Sequence, residues 1–197
     1  MHFKAFVEPA FYKNAYVVYR RDHGPCWIID PGLAPQPEQI CAFLQRHDLT
    51  PELILLTHGH ADHIAGLGPL KQAFTTAKVL ISHQDRPMLS DPDLNLSASF
   101  SVPLVVGLQA DADLPPGARL CLDGLAWQVL DTSGHSPGSR SLYCSSAGLV
   151  VVGDALFAGS IGRTDLPGGN APLLLANIRQ HLLSLPDQTL VLPGHGP

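Results

Sequence analysis

Apolar residues come in short runs separated by turns rich in glycine, proline and aspartate, a pattern that predicts many strands with helices inserted among them. Strands are expected over residues 3–7, 15–19 and 26–29, the last ending in the turn Asp30-Pro31-Gly32. Ile40, Phe43, Leu44 and His47 follow the i, i+3, i+4, i+7 spacing of an amphipathic helix over 36–47. The apolar run 53–56 reads as a buried strand. Residues 62–74 then read as a helix, with Asp62 suited to its positive end and Gly66, Gly68 and Pro69 disturbing its course. Further strands are predicted over 78–82, 120–122, 127–130, 141–144, 149–152 and 189–192, with a helix over 173–183. The stretch 91–113 carries scattered apolar residues and reads as an edge strand with loops rather than an ordered flap. Grouped strands with interspersed helices fit neither a pure sandwich nor a regular βαβ alternation. Two packed sheets with helices outside, an α+β arrangement, fit better.

Composition narrows the class. With 197 residues, 45% of them hydrophobic and 15% charged, the chain is expected to be one domain around a sizeable core, spanning 1–197. The net charge of -5 and the lack of a Lys/Arg run argue against nucleic acid as a partner. No apolar run is long enough to span a membrane, and the first residues lack the apolar core of a signal peptide, so a cytoplasmic location is the default expectation. Cys26, Cys41, Cys121 and Cys144 are widely spaced and form no CxxC pair; they are read as small buried hydrophobes without disulfides.

The chemistry concentrates in His58-Gly59-His60-Ala61-Asp62-His63, directly after the strand 53–56. Imidazoles packed this closely would repel one another once protonated, whereas neutral His and ionised Asp are natural ligands of a divalent cation. Three later segments repeat the theme of a ligand-type side chain beside glycine just past a strand: His135, Asp154 and His195. Five histidines and two aspartates exceed the roughly four ligands of one tetrahedral ion. They suit two ions about 3.5–4 Å apart sharing a carboxylate and a hydroxide.

The motif His58-x-His60-x-Asp62-His63, followed by His135, Asp154 and His195, resembles the metallo-β-lactamase superfamily across essentially the whole chain. Within it, Gly153-Asp154-Ala155-Leu156-Phe157 and Pro193-Gly194-His195-Gly196-Pro197 are similar to the glyoxalase II-like hydrolases. The resemblance implies a four-layer αββα sandwich with metals at one edge. It implies His58, His60 and His135 on a first ion, Asp62, His63 and His195 on a second, and Asp154 bridging. Asp62 and Asp154 would then act in catalysis through the hydroxide they help to hold. The implied cofactors are two divalent ions, zinc and/or iron, with manganese also compatible with N/O donors. The implied partner is a small-molecule thioester, such as the glutathione conjugate S-lactoylglutathione, and Asp30 would support a ligand histidine from behind.

The chain departs from that branch at two places. It ends at Pro197, so the C-terminal helical segment that grips glutathione is not expected; and Asp165 stands where a Tyr is usual. Arg163 keeps a positive charge and is a candidate substrate contact, with a bracing ion pair to Asp165 as the alternative. Gly162-Arg163-Thr164-Asp165 also resembles the persulfide dioxygenases, which would use one iron on residues matching His58, His135 and Asp154; that reading is second. A flavodiiron-type domain would have Glu in place of His60. A structural metal module would favour Cys ligands. Gly134-His135-Ser136-Pro137-Gly138 satisfies the serine-hydrolase pattern G-x-S-x-G, and Asp154 or Asp187 with His195 supplies a triad order, but residues 139–144 read as a strand where the elbow needs a helix. His2, His23, His47, His83 and His181 are read as bland surface or helix residues.

Overall fold

The computed structural model describes residues 1–99 and 102–197. Strands β1 (His2–Glu8), β2 (Lys13–Tyr19), β3 (Pro25–Ile29), β4 (Thr50–Leu55), β5 (Lys78–Ile81) and β6 (Ala112–Asp113) form one sheet in that spatial order. A second sheet runs β13-β10-β9-β8-β7, from β7 (Arg119–Leu122), β8 (Leu125–Asp131), β9 (Arg140–Cys144), β10 (Leu149–Gly153) and β13 (Leu190–Pro193). A hairpin of β11 (Leu156–Phe157) and β12 (Ser160–Ile161) stands apart. The helices are α1 (Gln36–His47), α2 (Ala61–Ile64), α3 (Leu67–Ala73) and α4 (Ala171–Asn177), the last continued by a wider π-helical turn over Ile178–Leu182.

The period-2 alternation of strand side chains sorts the core into three layers. Ala15, Val17, Cys26, Ile28, Ile54, Val79 and Ile81 pack outward against Ile40 and Leu44 of α1 and Leu67 and Leu70 of α3. Their neighbours Tyr16, Val18, Trp27, Ile29, Leu55 and Leu80 face the second sheet and meet Trp127, Val129, Leu142 and Val151. Trp27 and Trp127 meet at the centre of this middle layer, ring centroids 5.5 Å apart and planes tilted by 51°. Leu130, Val150 and Val152 point the other way, onto Leu174 and Ile178. The layers are therefore helix, sheet, sheet, helix, as expected.

Strands β3, β4 and β5 are parallel, and β10 is parallel to β13. Their carboxyl ends share one edge of the sandwich, where open sheets present loops to ligands. Asp30, His58, Asp85, Asp154 and His195 all follow those ends.

Several expectations need correction. The helix expected over 62–74 is two helices. Gly66 breaks it because its N–H bonds the carbonyl of Pro31 at 2.9 Å, and a Cβ there would lie 2.7 Å from the carbonyl oxygen of Gly32. The helix expected at 173 begins at Ala171, where the Asn170 side chain accepts from the N–H of Leu173. Cys121 is exposed and Cys41 only partly buried, so the buried reading holds for Cys26 and Cys144 alone; all four are free. Among the described residues of the stretch 91–113, only Ala112–Asp113 pairs as an edge strand, against β5. Asn95, Leu96, Ser97, Val102, Pro103 and Leu104 instead wall a cavity, the role of a flap; positions 100 and 101 lie outside the described residues. Among the described residues no helix is long and apolar enough to cross a membrane.

Candidate metal centre

Four of the five ligand-type rings, those of His58, His63, His135 and His195, are aimed by a hydrogen bond on Nδ1. The Thr57 hydroxyl donates to Asp30 Oδ2 at 2.6 Å, so its oxygen is left to accept from His58 Nδ1 at 3.1 Å. That makes His58 Nε2 the lone-pair nitrogen. Asp30 Oδ2 also accepts from His63 Nδ1 at 3.0 Å, and Asp30 Oδ1 from the N–H of Thr57 at 2.7 Å. One buried carboxylate thereby fixes the tautomer of two rings. His135 Nδ1 donates to the carbonyl of Arg163 at 2.8 Å, and His195 Nδ1 to that of Phe11 at 2.9 Å, turning both Nε2 atoms inward.

The inward atoms form two groups. His58, His60 and His135 present ring nitrogens within 4.8 Å of one another, and Asp62, His63 and His195 present theirs and a carboxylate oxygen at the same spacing. In the first group His135 Nε2 lies 2.9 Å from His60 Nδ1. In the second, His195 Nε2 lies 3.1 Å from Asp62 Oδ2 and 3.4 Å from His63 Nε2. Two nitrogens sharing a tetrahedral zinc would be about 3.3 Å apart. Asp154 reaches both groups: Oδ1 is 3.3 Å from His63 Nε2, and Oδ2 is 3.6 Å from His135 Nε2 and 3.5 Å from His195 Nε2. All seven sequence-predicted ligand residues are thus brought together. Glycine permits the crowding, since a Cβ at Gly194 would stand 2.0 Å from Asp154 Oδ1.

The donor set fits divalent ions. His58 Nε2, His60 Nε2 and Asp154 Oδ1 are buried without hydrogen-bond partners, a rare condition for polar atoms. Burial, reinforced by the neighbouring imidazoles, pushes His58 and His60 well below the usual histidine range, leaving them neutral donors. His63 moves the opposite way: burial would lower it, but Asp154, Asp62 and Asp30 outweigh that and hold its proton. The same imidazolium, with His195, brings Asp62 and Asp154 below the usual carboxylate range despite their burial. Asp30, Asp62 and Asp154 set three carboxylates around these rings, a charge that bound divalent cations would offset. Converting Asp30 to Asn would place an amide N–H against Thr57 or His63 donors. We expect Asp30→Asn to weaken metal affinity about 10–100-fold, read by chelator competition; unchanged affinity would show that the rings need no such support.

Three residues of the site have no counterpart in the sequence reading. Asp85 is fully buried and accepts from the N–H of Gly138 at 2.7 Å, the N–H of Gly59 at 3.2 Å and the hydroxyl of Ser136 at 2.6 Å. It thereby ties the His58–His60 loop to the His135 loop, while burial pushes its carboxyl up. Lys13, also buried, donates to the carbonyl of Asp30, and burial lowers it to about 8. Asn95 braces the cavity wall through Met88, Leu104 and Ser97. Asp85 follows a strand end, the same signal that marked the histidines; its neighbour His83 is exposed, as expected. Ser136 serves Asp85, and β9 follows it where a nucleophile elbow needs a helix. Arg163 forms the bracing pair with Asp165, both bonds at 2.8 Å.

The comparisons agree with this geometry. The family description "Metallo-beta-lactamase superfamily" matches residues 9–195. A probable metallo-hydrolase, YqgX of Bacillus subtilis, is 41% identical over 184 residues, spanning 93% of this chain and 85% of its own. The hydroxyacylglutathione hydrolase GloC of Haemophilus influenzae is 33% identical over 193 residues, spanning 95% and 87%. Among solved structures, the BLEG-1 B3 metallo-beta-lactamase superposes with a TM-score of 0.92 at 40% identity, covering 100% of this chain and 92% of that one. TTHA1623 in a di-iron-bound form gives 0.85 at 36%, covering 98% and 92%. With the αββα layers and the ligand-type loops at one edge, this chain belongs to the metallo-beta-lactamase superfamily.

Proposed function

We propose that the chain is a metal-dependent hydrolase that cleaves a thioester. The observation that carries this reading is Asp154, whose carboxylate lies within 3.6 Å of ring nitrogens from both donor groups at the floor of one cavity. His58, His60 and His135 would hold one ion, Asp62, His63 and His195 a second, and Asp154 would face both. When bound, such ions supply an activated water near neutral pH and stabilise charge developing on a carbonyl oxygen. The chain's own residues do the positioning. Asp30 and the carbonyls of Arg163 and Phe11 keep the rings in their donor tautomers. Asp62 and His195 both line the cavity, where a substrate carbonyl would arrive. A thiolate leaves readily, so no protein nucleophile is required.

The likeness to GloC supports the thioester reading, and the di-iron relative supports N/O donors that accept iron as well as zinc or manganese. A dioxygenase built on one iron would use residues matching His58, His135 and Asp154 and leave Asp62, His63 and His195 unused; the likeness to ETHE1 of Myxococcus xanthus, with a TM-score of 0.79 at 28% identity, keeps it as the alternative. The likeness to BLEG-1 favours a second reading, in which the carbonyl attacked is a β-lactam amide. The test is a panel of thioesters, S-lactoylglutathione among them, beside nitrocefin and glutathione persulfide, with protein carrying zinc or iron. We expect chelator-sensitive thioester hydrolysis. Nitrocefin turnover with intact thioesters would select the lactam reading. Oxygen uptake on persulfide alone would select the dioxygenase.

A further inference from the structure

The floor of the cavity is the donor cluster, and the walls are of a different character. The cavity holds about 800 Å³, within the range of small-molecule sites. Leu33, Leu96, Val102, Leu104, Ile161 and Leu166 supply much of its wall. The polar wall residues are already partnered within the protein. Asn95 gives both amide hydrogens to the carbonyls of Met88 and Leu104 and accepts from the N–H of Ser97. Ser97 Oγ accepts from the N–H of Leu104. Arg163, the one Lys or Arg on the wall among the described residues, directs Nε and Nη2 at the carboxylate of Asp165.

Glutathione carries two carboxylates and an ammonium at neutral pH. A conjugate of it would bring those charges to a wall whose one Lys or Arg among the described residues is already paired and whose remaining surface is largely apolar. Desolvating a carboxylate against such a wall is unfavourable unless a partner is supplied. An aliphatic chain placed there leaves no polar group unpaired and removes apolar surface from water on both sides.

We propose that this cavity takes a thioester whose acyl group is an uncharged apolar chain on an uncharged carrier, and that it discriminates against glutathione as carrier; the inference rests on the hydrolase reading above. In the reaction, water adds to the acyl carbon, the C–O bond forms and the C–S bond breaks. Sulfur leaves with the bonding pair and takes up a proton, and the acid product ionises to the carboxylate, releasing one proton. The protein binds the chain along Leu96, Leu104 and Leu166 and leaves the carrier toward Val102, which is 79% exposed at the mouth.

The test compares acetyl, hexanoyl and octanoyl thioesters of N-acetylcysteamine with the same acyl groups on glutathione, using zinc- and iron-loaded protein. The expected result is a rise in kcat/KM of about 30-fold or more from acetyl to octanoyl, the factor for burying about three of the six added methylenes at about three- to fourfold each. Glutathione carriers are expected to fall about tenfold below the uncharged carrier, a partner-less carboxylate being the difference. Leu166→Asn should lower the octanoyl-to-acetyl ratio about tenfold. Binding is followed separately by calorimetry with two ketones that cannot be hydrolysed, S-(2-oxopropyl)- and S-(2-oxodecyl)-N-acetylcysteamine. Tighter binding of the longer ketone with no turnover of any thioester would uphold the apolar ligand class and remove the hydrolase reading. A flat chain-length series in both assays, or glutathione thioesters as good as their uncharged counterparts, would overturn the proposal.

Discussion

Replacing Asp154 by Ala is expected to lower kcat/KM for the best thioester by at least about a thousandfold, or about 4 kcal/mol of transition-state stabilisation. The side chain is the one group whose oxygens approach both donor sets, at 3.3 Å from His63 Nε2 and 3.6 Å from His135 Nε2. Its removal leaves each group with three donors and nothing shared between them, so metal content should fall from two ions toward one. The fold should survive. Its side chain faces the ring nitrogens of His63, His135 and His195 rather than the apolar core of either sheet. Metal analysis and circular dichroism on the same preparation separate a lost centre from a lost fold. Full turnover by folded Asp154→Ala would remove the two-ion scheme.

Asp85→Asn is expected to damage stability more than any ligand substitution. Asp85 accepts three hydrogen bonds from donors on two different loops, through both carboxylate oxygens. An amide in its place must turn an NH₂ toward the N–H of Gly138 or toward Gly59 and Ser136, so at least one buried donor loses its partner and meets a second donor. Each such loss costs about 1–3 kcal/mol, and the set about 3–5 kcal/mol. That corresponds to a fall in Tm of roughly 10 °C for a chain of this size. Both the thermal midpoint and the affinity of the His58/His60/His135 group should fall, because the clamp joins the loops that carry those rings. A Tm within a degree or two of the parent would mean that the loops are held by other means.

Much of the site was legible because ligand residues obey one rule: each follows a strand that ends at the same edge. The runs before His58, Asp154 and His195 are apolar enough to announce their strands, and glycine beside each announces the turn. Asp85 obeys the same rule but sits four residues past Ile81, behind the more conspicuous His83, and its role depends on backbone N–H groups that no residue type reveals. Lys13 escaped for a related reason, since its partner is a carbonyl. The hairpin β11–β12 is too short for periodicity to register, with two residues in each strand. The flap over the cavity was read as an edge strand with loops because its apolar residues follow no period: Leu96 and Val102 line the cavity, whereas Val106 and Ala110 pack against the core beneath α1 and α3. The break at Gly66 is a tertiary matter, set by the Asp30-Pro31-Gly32 turn pressing on it.

His195 is held less by its own sheet than by the opposite one. The N–H of Asn14 bonds the carbonyl of Gly194 at 2.7 Å, the Asn14 side chain bonds the carbonyls of Pro193 and Gly196, and the Tyr16 hydroxyl bonds that of Pro193 at 2.7 Å. A ligand near residue 195 is thus stitched to a strand near residue 14, across most of the chain. The two donor groups therefore meet only when segments from both ends of the described chain have come together, so any ion shared between them would bind the folded molecule in preference to a partly folded one.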